Sequence, residues 1–153
     1  MFPIGNKGQF EPFKLLIGAV TALLILTIIV STINYFQGLE VDISTERFYS
    51  AVRNAASQPN GSLLVANNII LTGGSSIASR GIAQEVGLPD ACIFLQAGSP
   101  RQLIVDPAGR NIQVIERTQT DVYVQCYSNT SPESPNPSEC QVSCKVSLGS
   151  KPM

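Results

Sequence analysis

The segment LLIGAVTALLILTIIVSTI, residues 15–33, contains no charged side chain and dominates the architecture that the sequence predicts. A helix needs about 20 residues to cross a bilayer with a hydrocarbon core of about 30 Å, so this segment is long enough. A helix of a soluble protein normally has one polar face, and this segment has none. Its threonine and serine hydroxyls can donate hydrogen bonds to carbonyls of the same helix. We therefore expect a helix that resides in a membrane, at least before any assembly.

The charges on either side of this segment predict its orientation. Lys7 and Lys14 precede it, whereas Glu40, Asp42 and Glu46 follow it. Positive residues flanking a membrane helix favour the cytoplasmic side. We therefore expect the N-terminus in the cytoplasm and the bulk of the chain outside the membrane.

The residues before the apolar segment carry a processing motif. A secretory signal peptide has an apolar region of about 7–15 residues followed by small residues at the cleavage site, and neither feature is present. Instead, a short leader ends in Lys7-Gly8, and Gln9 opens the sequence QFEPFKLL. Over residues 1–36 the chain resembles archaeal type IV pilin-like proteins with a class III (prepilin-type) signal peptide. The resemblance implies that a prepilin peptidase cuts between Gly8 and Gln9 and leaves the hydrophobic helix on the mature chain.

The resemblance also implies an assembly role for Glu11, as a partner of the freed N-terminal amine of a neighbouring subunit. Glu11 would be the third residue after the cut, whereas in many pilins the acidic residue lies a few positions further into the mature chain. A carboxylate at the mouth of a membrane helix is costly if it is buried alone. Two other interpretations remain open: pairing with Lys14 on the same helical face, or favourable placement of the charge near a helix N-terminus.

Composition excludes several function classes. Only 14% of the residues are charged, against about 25% in ordinary domains, and the net charge is -1. Without a basic excess, the chain is not expected to bind nucleic acid. Histidine, the commonest general base and a common zinc ligand, does not occur in the sequence. We therefore predict no enzyme activity, no cofactor and no metal site.

The remaining candidates for chemistry are interpreted as turns. The glycine-rich residues 73–76 lack the lysine of a phosphate-binding loop. Asp90, Asp106 and Asp121 have no spacing typical of a calcium loop.

A second helix is predicted after the membrane segment. Gly38 interrupts the first helical pattern, and Ser44 is suited to cap a new helix over residues 45–56. Within it Phe48, Val52 and Ala55 recur at helical spacing, which is typical of an amphipathic helix. Pro59 and the residues that follow it end this helix.

From residue 62 the pattern changes to short apolar runs separated by turn-rich segments. We predict an α+β fold: a long N-terminal hydrophobic helix, a short amphipathic helix and a small, mainly antiparallel, disulfide-stabilised β domain. A helical turn is expected within residues 77–87, and a hairpin with a four-residue loop around residues 107–110. The predicted divisions are a leader at 1–8, a membrane or filament-core helix at 9–37, an amphipathic helix and connector at 38–60, and an extracellular β domain at 61–153. The predicted strands are residues 63–71, 91–96, 102–106, 111–117, 121–127 and 141–148.

The four cysteines all lie in the part predicted outside the membrane, where disulfides persist. A small domain buries little surface and benefits from covalent links. If residues 140–144 are extended, Cys140 and Cys144 lie about 13 Å apart, too far for a bridge. We therefore favour pairings that join Cys92 and Cys126 to the last strand or to each other. A four-thiolate zinc site is the alternative, but its ligands normally come as two close pairs.

Two sequons, Asn60-Gly61-Ser62 and Asn129-Thr130-Ser131, lie in predicted turns on the outer side. Asn60 and Asn129 are therefore candidate glycosylation sites, since surface-exposed filament subunits of the family that the chain resembles are commonly glycosylated.

The sequence thus leads to the hypothesis of a major or minor subunit of an archaeal type IV pilus-like surface filament. The resemblance implies other pilin subunits, a prepilin peptidase and, before assembly, membrane lipid as partners. The expected location is the cell membrane and then the extracellular filament. The alternative is an uncleaved single-pass membrane protein whose extracellular β domain binds a ligand or partner.

Overall fold

The computed structural model describes residues 10–98, 101–135 and 138–152, apart from the side chains of Phe10 and Glu11. The chain divides into two compact units, Met1–Leu39 and Glu40–Met153. We call them the N-terminal unit and the C-terminal unit.

One helix, α1, contributes residues to both units and extends over Phe10–Ser57. The prediction of helix at residues 45–56 is confirmed, but the predicted start at Ser44 is wrong, because the helix continues through Gly38. A glycine inside a helix costs only about 1 kcal/mol relative to alanine, which the neighbouring helix-forming residues offset. Ser44 is buried rather than capping, with 4% of its surface exposed. It lies four residues before Phe48, on the same helical face.

The C-terminal unit is an α+β domain with two sheets. After α1 the elements are β1 (Asn60–Leu71), β2 (Ser76–Ala78), α2 (Ser79–Val86), a 3-10 helix (Asp90–Cys92), β3 (Ile93–Ala97), β4 (Leu103–Val105), β5 (Asn111–Val114), β6 (Thr118–Ser128) and β7 (Val142–Leu148). The four-stranded sheet has the order β1-β6-β7-β3, and the three-stranded sheet has the order β2-β5-β4. In the four-stranded sheet the long strand β6 lies between β1 and β7 and pairs with both.

All six predicted strands are present, and β2 is an additional strand of three residues. The predicted hairpin is confirmed as β4 and β5, which pair with Leu103 opposite Val114. The predicted helical turn becomes α2, which ends at Gly87 in the left-handed conformation with φ 71°. The sheets are mainly antiparallel as predicted, with β3 and β7 forming one parallel pair.

The core of the C-terminal unit brings together buried apolar residues of α1, α2 and both sheets. Phe48, Val52 and Ala55 of α1 are buried, as the helical spacing predicts. They belong to the same apolar cluster as Val124 of β6 and Val146 of β7, both fully buried. The C-terminal part of α1 is therefore an integral part of this domain.

Candidate functional site

The apolar part of α1 exposes its large side chains all around the helix. From Phe13 to Phe36 each of them has between 47% and 75% of its surface exposed. Contiguous apolar surface of this extent marks an interaction site with protein or membrane. By length and composition, α1 is the one described helix that is able to cross a membrane.

The threonine hydroxyls within this segment are satisfied by the helix itself. The Thr21 hydroxyl donates to the Ile17 carbonyl at 3.0 Å. The hydroxyls of Thr27 and Thr32 donate to carbonyls of the preceding turn at 2.8 and 2.7 Å. The prediction that threonines bond back to the helix is confirmed. Because these groups need no water, the helix surface is suited to an apolar environment.

The predicted processing and assembly residues fall at the edge of the described chain. Lys7, Gly8 and Gln9 lie outside the described residues, so the cleavage site stays a prediction. Glu11 is the second residue of α1. Its assembly role and its pairing stay predictions.

Three ion pairs in the C-terminal unit connect α1 to surrounding elements or to itself. Arg117 Nη2 lies 3.3 Å from Glu40 Oε2. Arg53 lies between Glu46 and Glu85, at 3.8 and 3.4 Å. All of these side chains are about half exposed or more, so each pair contributes little to stability. Sequence reasoning missed the Glu40–Arg117 pair, because nothing local connects residues 77 positions apart.

The four cysteines form two disulfides, Cys92–Cys140 and Cys126–Cys144. The first links the 3-10 helix to the segment before β7, and the second joins directly opposed residues of β6 and β7. The exclusion of a Cys140–Cys144 bridge is confirmed, and so is pairing with the last strand for Cys126. The rival zinc site is not formed, because all four sulfur atoms are in disulfides. Such bonds are typical of an oxidising, extracellular environment.

Both glycosylation candidates have exposed side chains. Asn60 is the first residue of β1 rather than part of a loop, and its Oδ1 accepts a hydrogen bond from the Ser62 N–H at 3.0 Å. Asn129 follows β6 in a turn, where its N–H donates to the Gln141 carbonyl at 2.9 Å. Both residues are therefore at the surface, and their modification stays a prediction.

The serine and aspartate side chains that are candidates for phosphate or calcium binding make local structural hydrogen bonds. Ser75 in the glycine-rich segment donates its hydroxyl to the Thr72 carbonyl at 2.6 Å. Asp90 accepts the Ser79 hydroxyl. Asp106 Oδ1 accepts the N–H groups of Arg110 and Asn111 at 2.5 and 3.0 Å, which closes the turn between β4 and β5.

Within residues 10–98, 101–135 and 138–152, no three acidic, histidine or cysteine side chains converge as a metal site would require.

Comparison with known proteins adds no further constraint. No family model matches the chain, and neither a curated protein nor a solved structure matches it. The chain is therefore interpreted from its own geometry: an exposed apolar helix of membrane-spanning length and a disulfide-linked α+β domain.

Proposed function

We propose that this chain is a structural subunit, major or minor, of an archaeal type IV pilus-like surface filament. The observation that carries the proposal is the apolar part of α1, whose large side chains are exposed on every face of the helix. A single membrane anchor needs only lipid around it. A filament-core helix needs apolar neighbours on all sides, which are lipid before assembly and the helices of other subunits afterwards. The exposed apolar surface of α1 suits both kinds of neighbour.

The proposed assembly begins with removal of residues 1–8 by a prepilin peptidase. The mature subunit is then stored in the membrane and extracted into a helical core, where contacts between subunits replace contacts with lipid. Bilayer tails and apolar side chains are equally apolar, so packing and polar pairing, rather than a hydrophobic gain, drive such association. A pairing of Glu11 with a neighbouring N-terminal amine supplies the polar contribution in this scheme.

The C-terminal unit faces solvent in the proposed filament. Its two disulfides cross-link the domain and suit a fold that has to persist outside the cell. In this proposal the work of the chain is packing, and it performs no enzymatic reaction.

The mature N-terminus tests the proposal. We expect mass spectrometry of surface-exposed protein to find Gln9 as the first residue, free or cyclised to pyroglutamate. Replacing Gly8→Val should block processing, whereas the matched Gly5→Val in the same leader should leave the cut after Gly8 intact. An intact Met1 in surface material would instead support an uncleaved single-pass protein and contradict the filament subunit.

Assembly is tested separately from cleavage. Cells that produce the processed chain should yield sheared filaments that contain it. If the chain is cleaved after Gly8 but is found only in the membrane fraction, the filament proposal is wrong even though the leader assignment is right.

A further inference from the structure

A polar cleft of about 470 Å³ lies beside the bulge in β1. The bulge falls between Ala66 and Ile69, where the register with β6 shifts. Bulges redirect side chains and often lie next to binding sites. The cleft is lined by Asn68, Gln119, Thr120, Asp121, Tyr123 and Gly149.

Asn68 lines this cleft and has an unusual backbone conformation. It is the one non-glycine residue with positive φ, 57°, in the described part of the chain. Its N–H donates to Asp121 Oδ1 at 3.0 Å. That hydrogen bond fixes the bulge against β6, and one oxygen of the Asp121 carboxylate remains for other partners.

The opposite wall is kept open by Gly149. A Cβ at this position would lie 3.2 Å from Thr120 Oγ1. The Thr120 hydroxyl makes only a long contact, 3.5 Å, with the Asp121 carbonyl in the described structure. A glycine at position 149 therefore leaves this hydroxyl accessible.

The lining determines the chemistry of the ligand. Asn68 and Gln119 each present an amide with both donors and acceptors, and Thr120 and Tyr123 present hydroxyls that do the same. An anion would meet the Asp121 carboxylate and no cationic side chain among the described lining residues. A metal cation would find one carboxylate beside several hydrogen-bond donors, which is poor coordination for calcium or magnesium. A neutral ligand rich in hydroxyl groups fits both features.

An aromatic ring adds to this picture. Tyr123 combines an apolar ring with a polar tip, which suits a ligand that has C–H faces and hydroxyl edges.

We infer that this cleft binds a neutral saccharide, which would give the C-terminal unit a carbohydrate-binding function. The site belongs to the C-terminal unit alone, so it does not depend on filament assembly. Because the cleft is open and its hydrogen bonds compete with water, we expect affinity in the millimolar range.

Saturation-transfer NMR on the full chain in lipid nanodiscs tests this inference. The probes are maltose, cellobiose, mannobiose and N,N′-diacetylchitobiose, with empty nanodiscs as the blank. We expect saturable transfer to at least one disaccharide. Gln119→Ala should weaken that binding by about three- to tenfold, the value of one neutral hydrogen bond. Tyr123→Ala should remove more, and Tyr123→Phe should retain part of the binding.

Gln113→Ala is the matched control, since Gln113 is an exposed glutamine on β5 of the other sheet. It should bind as the unchanged chain does. The inference is overturned if none of the four disaccharides shows saturable transfer, or if Gln119→Ala and Gln113→Ala bind equally. Displacement of the sugar by calcium chloride or sodium phosphate, at constant ionic strength, would likewise overturn the assignment to a neutral ligand.

Discussion

Gly61 and Tyr127 are the clearest case in which one residue depends on another across the sheet. Gly61 has φ 77°, and a Cβ there would lie 2.9 Å from Tyr127 Cε1. The ring of Tyr127 thus occupies the space that a side chain at position 61 would need. The glycine is required both by its left-handed conformation and by this close approach.

Replacing Gly61→Ala should destabilise the C-terminal unit by about 1–2 kcal/mol from the left-handed backbone alone, and by more if the ring cannot move. Urea unfolding followed by circular dichroism, with disulfides intact, measures the change. Gly81→Ala is the control, because Gly81 lies in α2 and a Cβ added there would have no neighbouring atom within 4 Å. That control should be neutral or stabilising by up to about 1 kcal/mol. Equal effects of the two substitutions would contradict the role assigned to Tyr127.

Tyr127 also gives a pH dependence. Burial of its phenol, followed by the nearby carboxylate of Glu133, raises the pKa of Tyr127 above its ordinary value of 10.0. A raised pKa in the folded state means that folding favours the neutral phenol. Its contribution to stability is therefore complete below the unfolded pKa and is lost as pH rises through the folded pKa.

In an alkaline titration followed by tyrosinate absorbance, a late component should ionise above pH 10.0, the ordinary tyrosine pKa, and Tyr127→Phe should remove that late component. Glu133→Gln should lower the pKa of Tyr127 but leave it above its ordinary value, because burial is the larger cause. A late component that persists in Tyr127→Phe would assign the shift to another tyrosine.

At the scale of elements, burial and ionic contacts of α1 contribute very differently to the stability of the C-terminal unit. Val52 is fully buried, whereas the side chains of Arg117 and Glu40 are 48% and 58% exposed. Val52→Ala should cost about 2 kcal/mol from lost burial and the cavity left behind. Arg117→Ala should cost no more than about 1 kcal/mol, and less at high salt. Urea unfolding at low and high salt measures the loss of stability in each variant. A larger, salt-sensitive loss of stability in Arg117→Ala than in Val52→Ala would contradict this ranking.

The elements also show which structural features a sequence can predict. Local patterns were sufficient for the helical face of Phe48 and Val52 and for the hairpin of β4 and β5, because neighbouring residues determine them. The prediction of a helix start at Ser44 is wrong because a serine suits both a helix cap and a small buried position. Only packing distinguishes the two. The parallel pairing of β3 with β7 depends on the whole domain, and no local signal marks it.

The polar cleft shows the same limit at the level of a site. Asn67 and Asn68 interrupt an apolar strand pattern, which is the one signal of a bulge in the sequence. Asn68 and Asp121 are 53 residues apart, so their convergence follows from the pairing of β1 with β6. The membrane-length helix could be predicted because its signal is one contiguous apolar segment of the sequence. The cleft could not, because its residues come from two paired strands and the turn after β7.

At the scale of the whole molecule, the low charge content divides unevenly between an uncharged apolar segment and the C-terminal unit. The apolar part of α1 contributes no charge over residues 15–33, and the C-terminal unit carries its charges in turns, ion pairs and exposed positions. A charge introduced within residues 15–33 should therefore reduce membrane retention more than a charge introduced at an exposed position of the C-terminal unit. The overall composition changes by the same amount in both cases.

Leu24→Lys places a charge at the centre of residues 15–33, where an ammonium group opposes membrane insertion by about 3 kcal/mol. We expect a smaller fraction of this variant to resist alkaline extraction of membranes. Ile104→Lys is the control, because Ile104 on β4 is already 51% exposed and its variant should remain membrane-bound. Equal membrane retention of both variants would show that residues 15–33 do not cross the bilayer. An unpaired charge is also costly among packed apolar helices. If the chain assembles into the proposed filament, Leu24→Lys should therefore be depleted from it even in the fraction that inserts.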